Sequence, residues 1–369
     1  MRRGATTNDL SARFGDPART EDGDFRDWAV RYEAPAPLRT TVLIERPRTV
    51  LTRNDSPDIP FDRSFNAYRG CEHGCIYCFA RPTHAFHGLS PGLDFESRLF
   101  AKPDGPRLLR QAFARPSYRP AVLAMGTNTD PYQPIEARFR ITRAVLDLCR
   151  ETGHPVSVTT KSDRVLADLD ILSDLARQGL ALVMVSITTL DPALARAMEP
   201  RAAAPHRRLA AIRALAGAGV PVAVSASPMI PALNDHELEA ILEAAAAAGA
   251  RHAAAMPVRL PHEVAGLFSD WLDAHFPARK ARILAAVRGM RGGRLNDPRF
   301  GHRMRGEGPW AALLAARLAR AAARLGLDAP RPCLRTDLFR RPAADAAQAD
   351  LFAATPAGPA ESPAALAVP

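Results

Sequence analysis

Short apolar segments of strand type alternate with amphipathic helical segments through the middle of the chain. This alternation constrains the fold more than any other feature. Consecutive strands that are separated by a helix run parallel and are joined by right-handed crossovers. The alternation therefore predicts an α/β fold whose parallel sheet is either doubly wound or a full or partial barrel. The predicted strands are 121–125, 155–160, 180–187, 220–225 and 251–256.

The helical segments are identified by their apolar spacing and by the residues at their ends. The stretch 139–149 carries apolar residues on one helical face. Asp191 before Pro192 is typical of an N-cap followed by proline at the first helical position. Asn234 and Glu237 have the spacing of a capping box, and we expect them to begin the next helix.

Polar residues are concentrated where the predicted strands end. They follow the strands at 126–130, 160–162, 186–189 and 227–234. In parallel barrels the chemistry takes place at the C-terminal ends of the strands. This placement predicts an enzyme rather than a purely structural protein.

The two ends of the chain lack the alternating pattern. Residues 1–40 are polar and rich in proline, which predicts a flexible extension, and 41–52 contain β-branched runs typical of a strand or two. From residue 341 onward alanine and proline dominate, which predicts disorder. We therefore predict an N-terminal extension over 1–60, a core over 61–290, a helical region over 291–340 and a disordered tail over 341–369.

Composition narrows the class of protein. Hydrophobic residues make up 47% of the 369 residues, which is enough for a sizeable core. There is no apolar run long enough to span a bilayer and no apolar signal segment, so a cytoplasmic location is expected. The net charge of +10 fits a polyanionic partner such as nucleic acid. The abundance of arginine, alanine and proline fits a simple composition bias equally well.

Three of the five cysteines lie within eight residues, at Cys71, Cys75 and Cys78. Their pattern is C-x3-C-x2-C, with Tyr77 before the last cysteine. Thiolates are the usual ligands of iron–sulfur clusters. Three cysteines hold three irons of a four-iron cubane, and the fourth iron is left open for a ligand that is not protein.

Zinc is the alternative occupant of these cysteines. Zinc usually takes four ligands, often in two pairs. The pairing is missing here, although His73, His84 or His87 offers a fourth ligand. This reading predicts a non-catalytic module that binds nucleic acid.

The cysteine spacing and the preceding aromatic residue resemble the cluster motif of the radical S-adenosylmethionine (SAM) superfamily. Segments 80–96, 126–136 and 227–235 are similar to the branch that includes spore photoproduct lyase, often labelled DNA repair photolyase-like. The resemblance covers about residues 61–260. It implies a partial (β/α)6 TIM-type barrel with the cluster loop after the first strand. The N-terminal extension and the helical C-terminal region would flank this barrel.

The resemblance also implies cofactors and a reaction. A [4Fe-4S] cluster would receive one electron from a reductant such as flavodoxin or ferredoxin and cleave SAM, either as a cosubstrate or as a recycled cofactor. The resulting 5′-deoxyadenosyl radical would abstract hydrogen from the substrate, while the protein positions the cofactor. The substrate is predicted to be a nucleic-acid base, as in a DNA repair lyase. A peptide or a small molecule is the alternative.

By analogy with the family, SAM would lie along the strand ends. The loop after the second barrel strand departs from the common Gly-Gly-Glu form, and Asp130 in it has the alternative role of capping the turn before Pro131. Lys161 would pair with the SAM carboxylate, and a solvated strand end is the alternative for it and for Ser186. The predicted cofactor-binding residues are Tyr77, Gly126, Thr127, Asn128, Asp130, Lys161 and Ser186.

The branch implies a further cysteine that returns hydrogen to the product radical. Cys149 lies in an amphipathic helix and is predicted to be a core residue. Cys333 and Tyr132 remain as weak catalytic candidates. Met229 and Ile230 are predicted to pack in the core rather than to line a site for adenine.

Two further features bear on binding partners. Four residues flanking the cluster loop would bind a phosphate-bearing substrate, bond to cluster sulfurs or satisfy loop carbonyls; they are Arg69, Arg81, His84 and His87. In the tail, Gln348–Phe352 resembles the pentapeptide by which bacterial repair proteins bind the sliding clamp, with chance in an alanine-rich tail as the alternative.

Overall fold

Ten strands form two sheets in the part of the chain that the computed structural model describes, which is residues 3–14 and 38–343. The strands are β1 (Thr41–Ile44), β2 (Thr52–Arg53), β3 (Arg63–Phe65), β4 (Tyr68–Arg69), β5 (Arg98–Ala101), β6 (Leu123–Met125), β7 (Val156–Thr160), β8 (Ala181–Ser186), β9 (Val222–Met229) and β10 (His252–Pro257).

The larger sheet has the order β10-β9-β8-β7-β6-β3-β2. All pairs from β3 to β10 are parallel, and β2 alone is antiparallel. Because the order follows the chain without reversal, the sheet is not doubly wound. No described strand joins β10 to β2, so the barrel is partial. The predicted partial (β/α)6 barrel is confirmed.

The helices connect these strands and continue beyond them. They are α1 (Leu93–Ser97), α2 (Gly105–Ala114), α3 (Glu136–Phe139), α4 (Ile141–Thr152), α5 (Leu169–Arg177), α6 (Pro192–Met198), α7 (Pro205–Gly217), α8 (Leu238–Ala247), α9 (Val264–His275), α10 (Pro277–Gly289) and α11 (Gly308–Leu325). Short 3-10 helices lie at Ala12–Phe14, Arg81–His87, Asp163–Asp168 and Asp235–Glu237. No helix of the described ranges has the length and apolar character needed to cross a bilayer.

The two faces of the parallel sheet differ in chemistry. Alternate strand residues such as Val183 and Val224 are fully buried in one core cluster with helix residues such as Leu172. The intervening residues, such as Ser157 and Met184, point to the opposite, inner face and are partly exposed. The inner face is therefore less completely covered than the face that packs against the helices.

The predicted strands are all present, and two helix-start predictions need correction. The helix predicted over 139–149 begins at Ile141, because Arg140 adopts a left-handed conformation with φ 50°. The capping-box prediction is wrong, because the side chain of Asn234 caps no helix. It bonds instead to the backbone of Ile230 and Thr188.

The N-terminal extension differs from the predicted flexible segment at residues 3–14. Its backbone N–H groups at Gly4 and Ala5 donate to the carboxylate of Glu96, at 2.8 Å each. Residues 15–37 lie outside the described residues, as does the tail from 344 onward with Gln348–Phe352. The predicted domain boundaries stay predictions.

A loop over residues 291–307, here called the seam loop, connects the two edges of the open sheet. Arg291 in this loop donates to the carbonyls of Pro257 and Val258 at the end of β10. Arg303 forms an ion pair of 2.6 Å with Asp58, which lies between β2 and β3. Side chains of the seam loop thus bridge the gap between β10 and β2, where no strand pairing closes the sheet.

The backbone at Gly126 makes a prediction about stability. Gly126 has φ 84°, and a Cβ atom there would lie 2.0 Å from the carbonyl oxygen of Thr159. We expect Gly126→Ala to lower the free energy of unfolding by about 3 kcal/mol, because the strain and the clash add. Denaturant titration measures this change.

Gly217→Ala is the matched control, since nothing lies within 4 Å of a Cβ atom there. It should change stability by less than about 1 kcal/mol. Equal stability of the two variants would contradict the role assigned to Gly126.

Candidate functional site

The three cysteines lie on a tight loop that follows β4. Cys71 is anchored by its N–H, which donates to the carbonyl of Phe95 at 2.9 Å. Successive turns bring Gly74 back to Cys71 at 3.3 Å and Cys78 back to Cys75 at 3.2 Å. Cys71 and Cys75 are buried and Cys78 is partly exposed. The sequence-predicted ligands are therefore brought together at the C-terminal edge of the sheet.

Burial and nearby negative charge disfavour ionisation of the cluster-loop thiols. Burial, the carboxylate of Asp130 and the neighbouring thiols raise the pKa of Cys71 well above its usual range. Burial also raises the pKa of Cys75 to about 12, although Lys161 acts in the opposite direction. As thiolate ligands, these side chains would be stabilised by a bound cationic centre. The donor set fits an iron–sulfur cluster.

The residues around the loop do not support the zinc alternative. Nδ1 of His73 lies 3.3 Å from Asp130, and Nε2 of His84 lies 2.8 Å from the carbonyl of Arg98. The ring of His87 packs 4.8 Å from that of Phe100. Ligands of tetrahedral zinc lie about 4 Å apart. Among the described residues, no cysteine belongs to a group of three ligand atoms within 4.8 Å.

A buried ion pair holds the cluster loop in place. Arg81 and Glu96 are both fully buried, and Nη2 of Arg81 lies 2.5 Å from Oε1 of Glu96. The remaining donors of Arg81 bond to four loop carbonyls at 2.9–3.1 Å; these belong to Gly74, Cys75, Pro91 and Gly92. Of the roles proposed for Arg81 from sequence, the structure supports satisfaction of loop carbonyls.

Gly74 is required where this pair approaches the loop. It has φ 67°, and a Cβ atom there would lie 2.7 Å from the carboxylate of Glu96.

The other residues that flank the cluster loop are also engaged in contacts within the protein. Arg69 forms a two-point ion pair with Glu45 at 2.7 and 2.8 Å, and burial lowers the pKa of His84 to about 4.

Asp130 is committed to the protein framework. Its carboxylate accepts hydrogen bonds from Thr160 Oγ1 at 2.7 Å, from Lys161 N at 2.7 Å and from Tyr132 N at 2.9 Å. Burial raises its pKa, but His73 and these hydrogen bonds outweigh burial and lower the pKa to about 2. The contacts favour the alternative in which Asp130 braces the turn before Pro131.

The rest of segment 126–136 also braces the cluster loop. Gln133 accepts from Glu72 N at 2.9 Å and donates to Gly70 O at 3.2 Å. Glu136 accepts from the hydroxyl of Tyr68, and burial raises the pKa of Glu136 to about 7. The motif that resembled the family in sequence is thus a brace for the cluster loop in structure.

Thr127 and Asn128 lie at the strand ends with partly exposed side chains. Asn66 holds their loop, because its amide oxygen accepts from Asn128 N at 3.0 Å and from Thr129 N at 3.3 Å. Its amide nitrogen donates to Thr127 Oγ1 at 3.0 Å. The loop is thus held in shape by Asn66, while the side chains of Thr127 and Asn128 stay partly exposed.

Tyr77 belongs to a buried network that sequence reasoning missed. Its hydroxyl donates to Glu199, which also accepts from Thr188 Oγ1 at 2.8 Å and pairs with Arg208. Arg208 donates in turn to the carbonyl of Ser186 at 3.0 Å. One signal was available, because Arg208 has the helical spacing of buried Ile212 and Leu215, and a charge on an apolar face needs a buried partner.

Lys161 lies beside the cluster loop, and its predicted pairing with the SAM carboxylate stays a prediction. Its ammonium nitrogen is 5.9 Å from the centre of the Tyr77 ring. Burial lowers the pKa of Lys161, but the negative charges of Cys75 and Glu199 outweigh burial and raise it. Lys161 therefore stays a cation.

Serine residues lie on the next two strands of the sheet, toward their C-terminal ends. Ser186 pairs in register with Ser225 of β9. Further along β9, the buried hydroxyl of Ser227 has no partner among the described residues. An unpaired buried hydroxyl at a strand end is suited to a ligand.

The two catalytic candidates are not brought to this site. Cys333 lines a cavity of about 600 Å³ with Asp62 and Val122, which precede β3 and β6, so it lies at the opposite end of the sheet. Tyr132 is buried, and its hydroxyl donates to Asp168 at 3.0 Å. The predictions of core positions for Cys149, Met229 and Ile230 are confirmed, since each is fully buried.

Comparison with known proteins decides the family. The family model described as "Radical SAM superfamily" matches residues 65–245, which contain the three cysteines, the 126–136 brace and strands β6 to β9. The chain belongs to the radical SAM superfamily. Members of this superfamily are enzymes that use a [4Fe-4S] cluster and SAM.

Relatives and solved structures agree with this assignment. An uncharacterized protein of Mycobacterium tuberculosis is 37% identical over 226 residues, which is 61% of this radical SAM chain and 66% of the relative. An uncharacterized protein of Methanocaldococcus jannaschii is 28% identical and covers 47% of this chain and 62% of its own length. The chain thus spans about two thirds or less of these relatives.

The fold is similar to that of a solved radical SAM enzyme. Spore photoproduct lyase in complex with dinucleoside spore photoproduct matches with a TM-score of 0.57 at 16% identity, over 77% of this chain and 79% of the other. A variant of that lyase with bound AdoMet matches with a TM-score of 0.56 at 15% identity, over 77% and 78%. At this identity the likeness concerns the fold.

The buried pair under the cluster loop makes a second prediction about stability. Arg81→Gln should lower the free energy of unfolding by about 3–5 kcal/mol, because it leaves Glu96 buried without its partner. It should also reduce the iron that the reconstituted protein retains. Denaturant titration and iron analysis measure these effects.

Arg324→Gln is the control, since the pair of Arg324 with Glu243 is about half exposed at both residues. It should cost less than about 1 kcal/mol and leave the iron content unchanged. Equal losses in the two variants would contradict the role given to Arg81.

Proposed function

We propose that the chain binds a [4Fe-4S] cluster through Cys71, Cys75 and Cys78 and cleaves SAM reductively to act on a nucleic-acid base. The observation that carries this proposal is the set of three thiols at the open edge of a partial barrel, with no fourth ligand grouped with them in residues 3–14 and 38–343. When bound, the cluster and SAM together supply a carbon-centred radical that abstracts hydrogen. Electrons come from a reductant such as flavodoxin or ferredoxin.

The chain's own groups position SAM. Lys161 is a cation within reach of the cluster loop, and it pairs with the SAM carboxylate in a charge-assisted contact. The loop of Gly126, Thr127 and Asn128 receives the amino group, while Asp130 keeps this loop in shape. Ser186 and Ser227 offer hydroxyls at the neighbouring strand ends. The supports are the position of Lys161, the partly exposed loop and the unpaired hydroxyl of Ser227.

The final hydrogen transfer does not use a cysteine from the mouth of the barrel. All five cysteines of the chain are described. Three are cluster ligands, Cys149 is in the core, and Cys333 lies at the opposite end of the sheet. We therefore propose that another donor, such as 5′-deoxyadenosine, returns the hydrogen to the product radical.

A nucleic-acid substrate is supported by charge and by likeness of fold. The chain carries 49 lysine and arginine residues against 39 aspartate and glutamate residues, and its fold is that of a lyase solved with a dinucleoside lesion. Repair of a base is therefore the proposed reaction class. Binding to the sliding clamp through Gln348–Phe352 stays a prediction for a segment outside the described residues.

Anaerobic reconstitution with iron and sulfide tests the cofactor assignment. The protein should gain cluster absorbance and form 5′-deoxyadenosine from SAM under reductant. Cys71→Ser, Cys75→Ser and Cys78→Ser should each lose most of both signals, because one iron loses its ligand. Cys333→Ser is the matched control and should retain both. Binding of zinc alone, or a loaded cluster without SAM cleavage, would disprove the proposal.

A salt series tests the substrate class. Affinity for single-stranded or irradiated DNA should fall about tenfold between 50 and 200 mM salt if two or three phosphates are contacted. Fluorescence anisotropy with RNA and with a neutral polymer completes the comparison. An affinity without salt dependence would favour a peptide or a small molecule as the substrate.

A further inference from the structure

An exposed aromatic residue lies directly beside the third cluster cysteine. Phe79 follows Cys78, and 45% of its surface is exposed. The guanidinium of Arg259 lies over its ring, 4.5 Å from the ring centre. The pair thus presents an exposed aromatic surface and a cation together, directly beside the cysteine loop.

This pair lies at the seam of the barrel, which is the gap between β10 and β2 where the sheet does not close. Phe79 belongs to the loop that follows β3 and β4, and Arg259 lies two residues beyond the end of β10. β3 and β10 stand at opposite ends of the parallel part of the sheet. A contact between Phe79 and Arg259 therefore spans the gap at the C-terminal edge, next to the cysteines.

Arg259 is a partly buried cation that forms no ion pair with a described carboxylate. Burial, and then the nearby Arg303, lower the pKa of Arg259, although the negative charges of Cys78 and Asp58 act in the opposite direction. In residues 3–14 and 38–343 no carboxylate forms an ion pair with it, whereas Arg303 pairs with Asp58 and Arg299 pairs with Asp297, each at 2.6 Å. A partly buried cation is costly unless an anion accompanies it. The missing anion fits a bound ligand.

The seam loop adds a second exposed ring that is stacked with a guanidinium. Phe300 is 56% exposed, and the guanidinium of Arg303 lies 4.6 Å from its ring centre. Arg305 is exposed next to Asp58, whose pKa it helps to lower after the hydrogen bond from Gly301. The seam thus carries two exposed rings, each stacked with a guanidinium, and an excess of positive charge.

We propose that Phe79 and Arg259 bind one nucleotide unit of an unpaired nucleic-acid strand at the seam. A guanidinium that rests on a ring by its face keeps its N–H edge free for a phosphate, and the exposed part of the Phe79 ring offers a surface for base stacking. Lys161 already supplies a cation for the SAM carboxylate, so Arg259 serves a second anion. This inference rests on the proposed function and assigns its substrate contacts.

The exposed rings favour a nucleotide over a phosphorylated peptide. A phosphate on a side chain needs the cation alone, whereas a base needs the ring as well. An exposed ring stacked with a guanidinium occurs twice along the seam, at Phe79 with Arg259 and at Phe300 with Arg303. Arg303 is already paired with Asp58, so the phosphate contact is assigned to Arg259 and Phe300 offers a second ring for stacking.

The test uses the full chain, reconstituted anaerobically, with fluorescein-labelled single-stranded DNA as the probe. Arg259→Gln should weaken DNA binding about tenfold and reduce the slope of log affinity against log salt by about 0.7, the value of one phosphate contact. Phe79→Ala should weaken binding about tenfold and leave the slope unchanged. Arg320→Gln removes the same charge from the exposed surface of α11 and should change neither quantity by more than a small factor.

Three further measurements keep the outcome decisive. Iron content, SAM affinity and 5′-deoxyadenosine formation without substrate should be equal in all variants, because neither residue is assigned to the cofactors. Arg259→Lys, which keeps the charge, should restore the salt slope if Arg259→Gln loses it. RNA of the same sequence should bind through the same pair, and a phosphopeptide should compete only weakly.

The inference is overturned if Arg259→Gln keeps the DNA affinity and slope, or if it loses SAM binding instead. Equal competition by the phosphopeptide also overturns it. Failure of the proposed function is distinguishable, because the unmodified chain would then form no 5′-deoxyadenosine from SAM whatever its affinity for DNA.

Discussion

The buried ion pair between Arg81 and Glu96 is the interaction on which the site depends. Removing both charges from water is costly, and the cost is offset only because every donor of Arg81 finds an acceptor. Those acceptors are carbonyls of the cluster loop and of the segment that follows it. The loop backbone is therefore held from beneath, and the cysteine side chains are free to face one centre.

Other parts of the chain converge on the same loop from different directions. Residues 3–14 reach it through Glu96, and segment 126–136 braces it through His73, Glu72 and Tyr68. Glu199 and Arg208 fix the ring of Tyr77. This rigidity suits a redox centre, because a cofactor that performs difficult chemistry needs a fixed position and little access to water.

In the proposed function, the partial closure of the barrel determines where the substrate binds relative to this centre. A sheet that does not close leaves a gap at the cluster edge, and here the gap carries Phe79, Arg259 and Arg303 rather than a strand. The inner face of the sheet contributes small and polar residues such as Ser157 and Ser225. The residues proposed to hold the cofactors lie at the strand ends, and those proposed to bind the substrate lie at the seam. The two sets are adjacent and share no residue.

Sequence alone determined the local features of this protein: the βα alternation, the cysteine spacing and the core positions of Cys149 and Met229, because each depends on periodicity or on neighbours in the chain. Tertiary structure decided what depends on distant contacts. It committed Asp130 to the framework, placed Cys333 at the far end of the sheet and paired Glu199 with Arg208. The sequence does not show whether a carboxylate faces solvent, a ligand or a buried arginine. Only the packing of the folded chain distinguishes these environments.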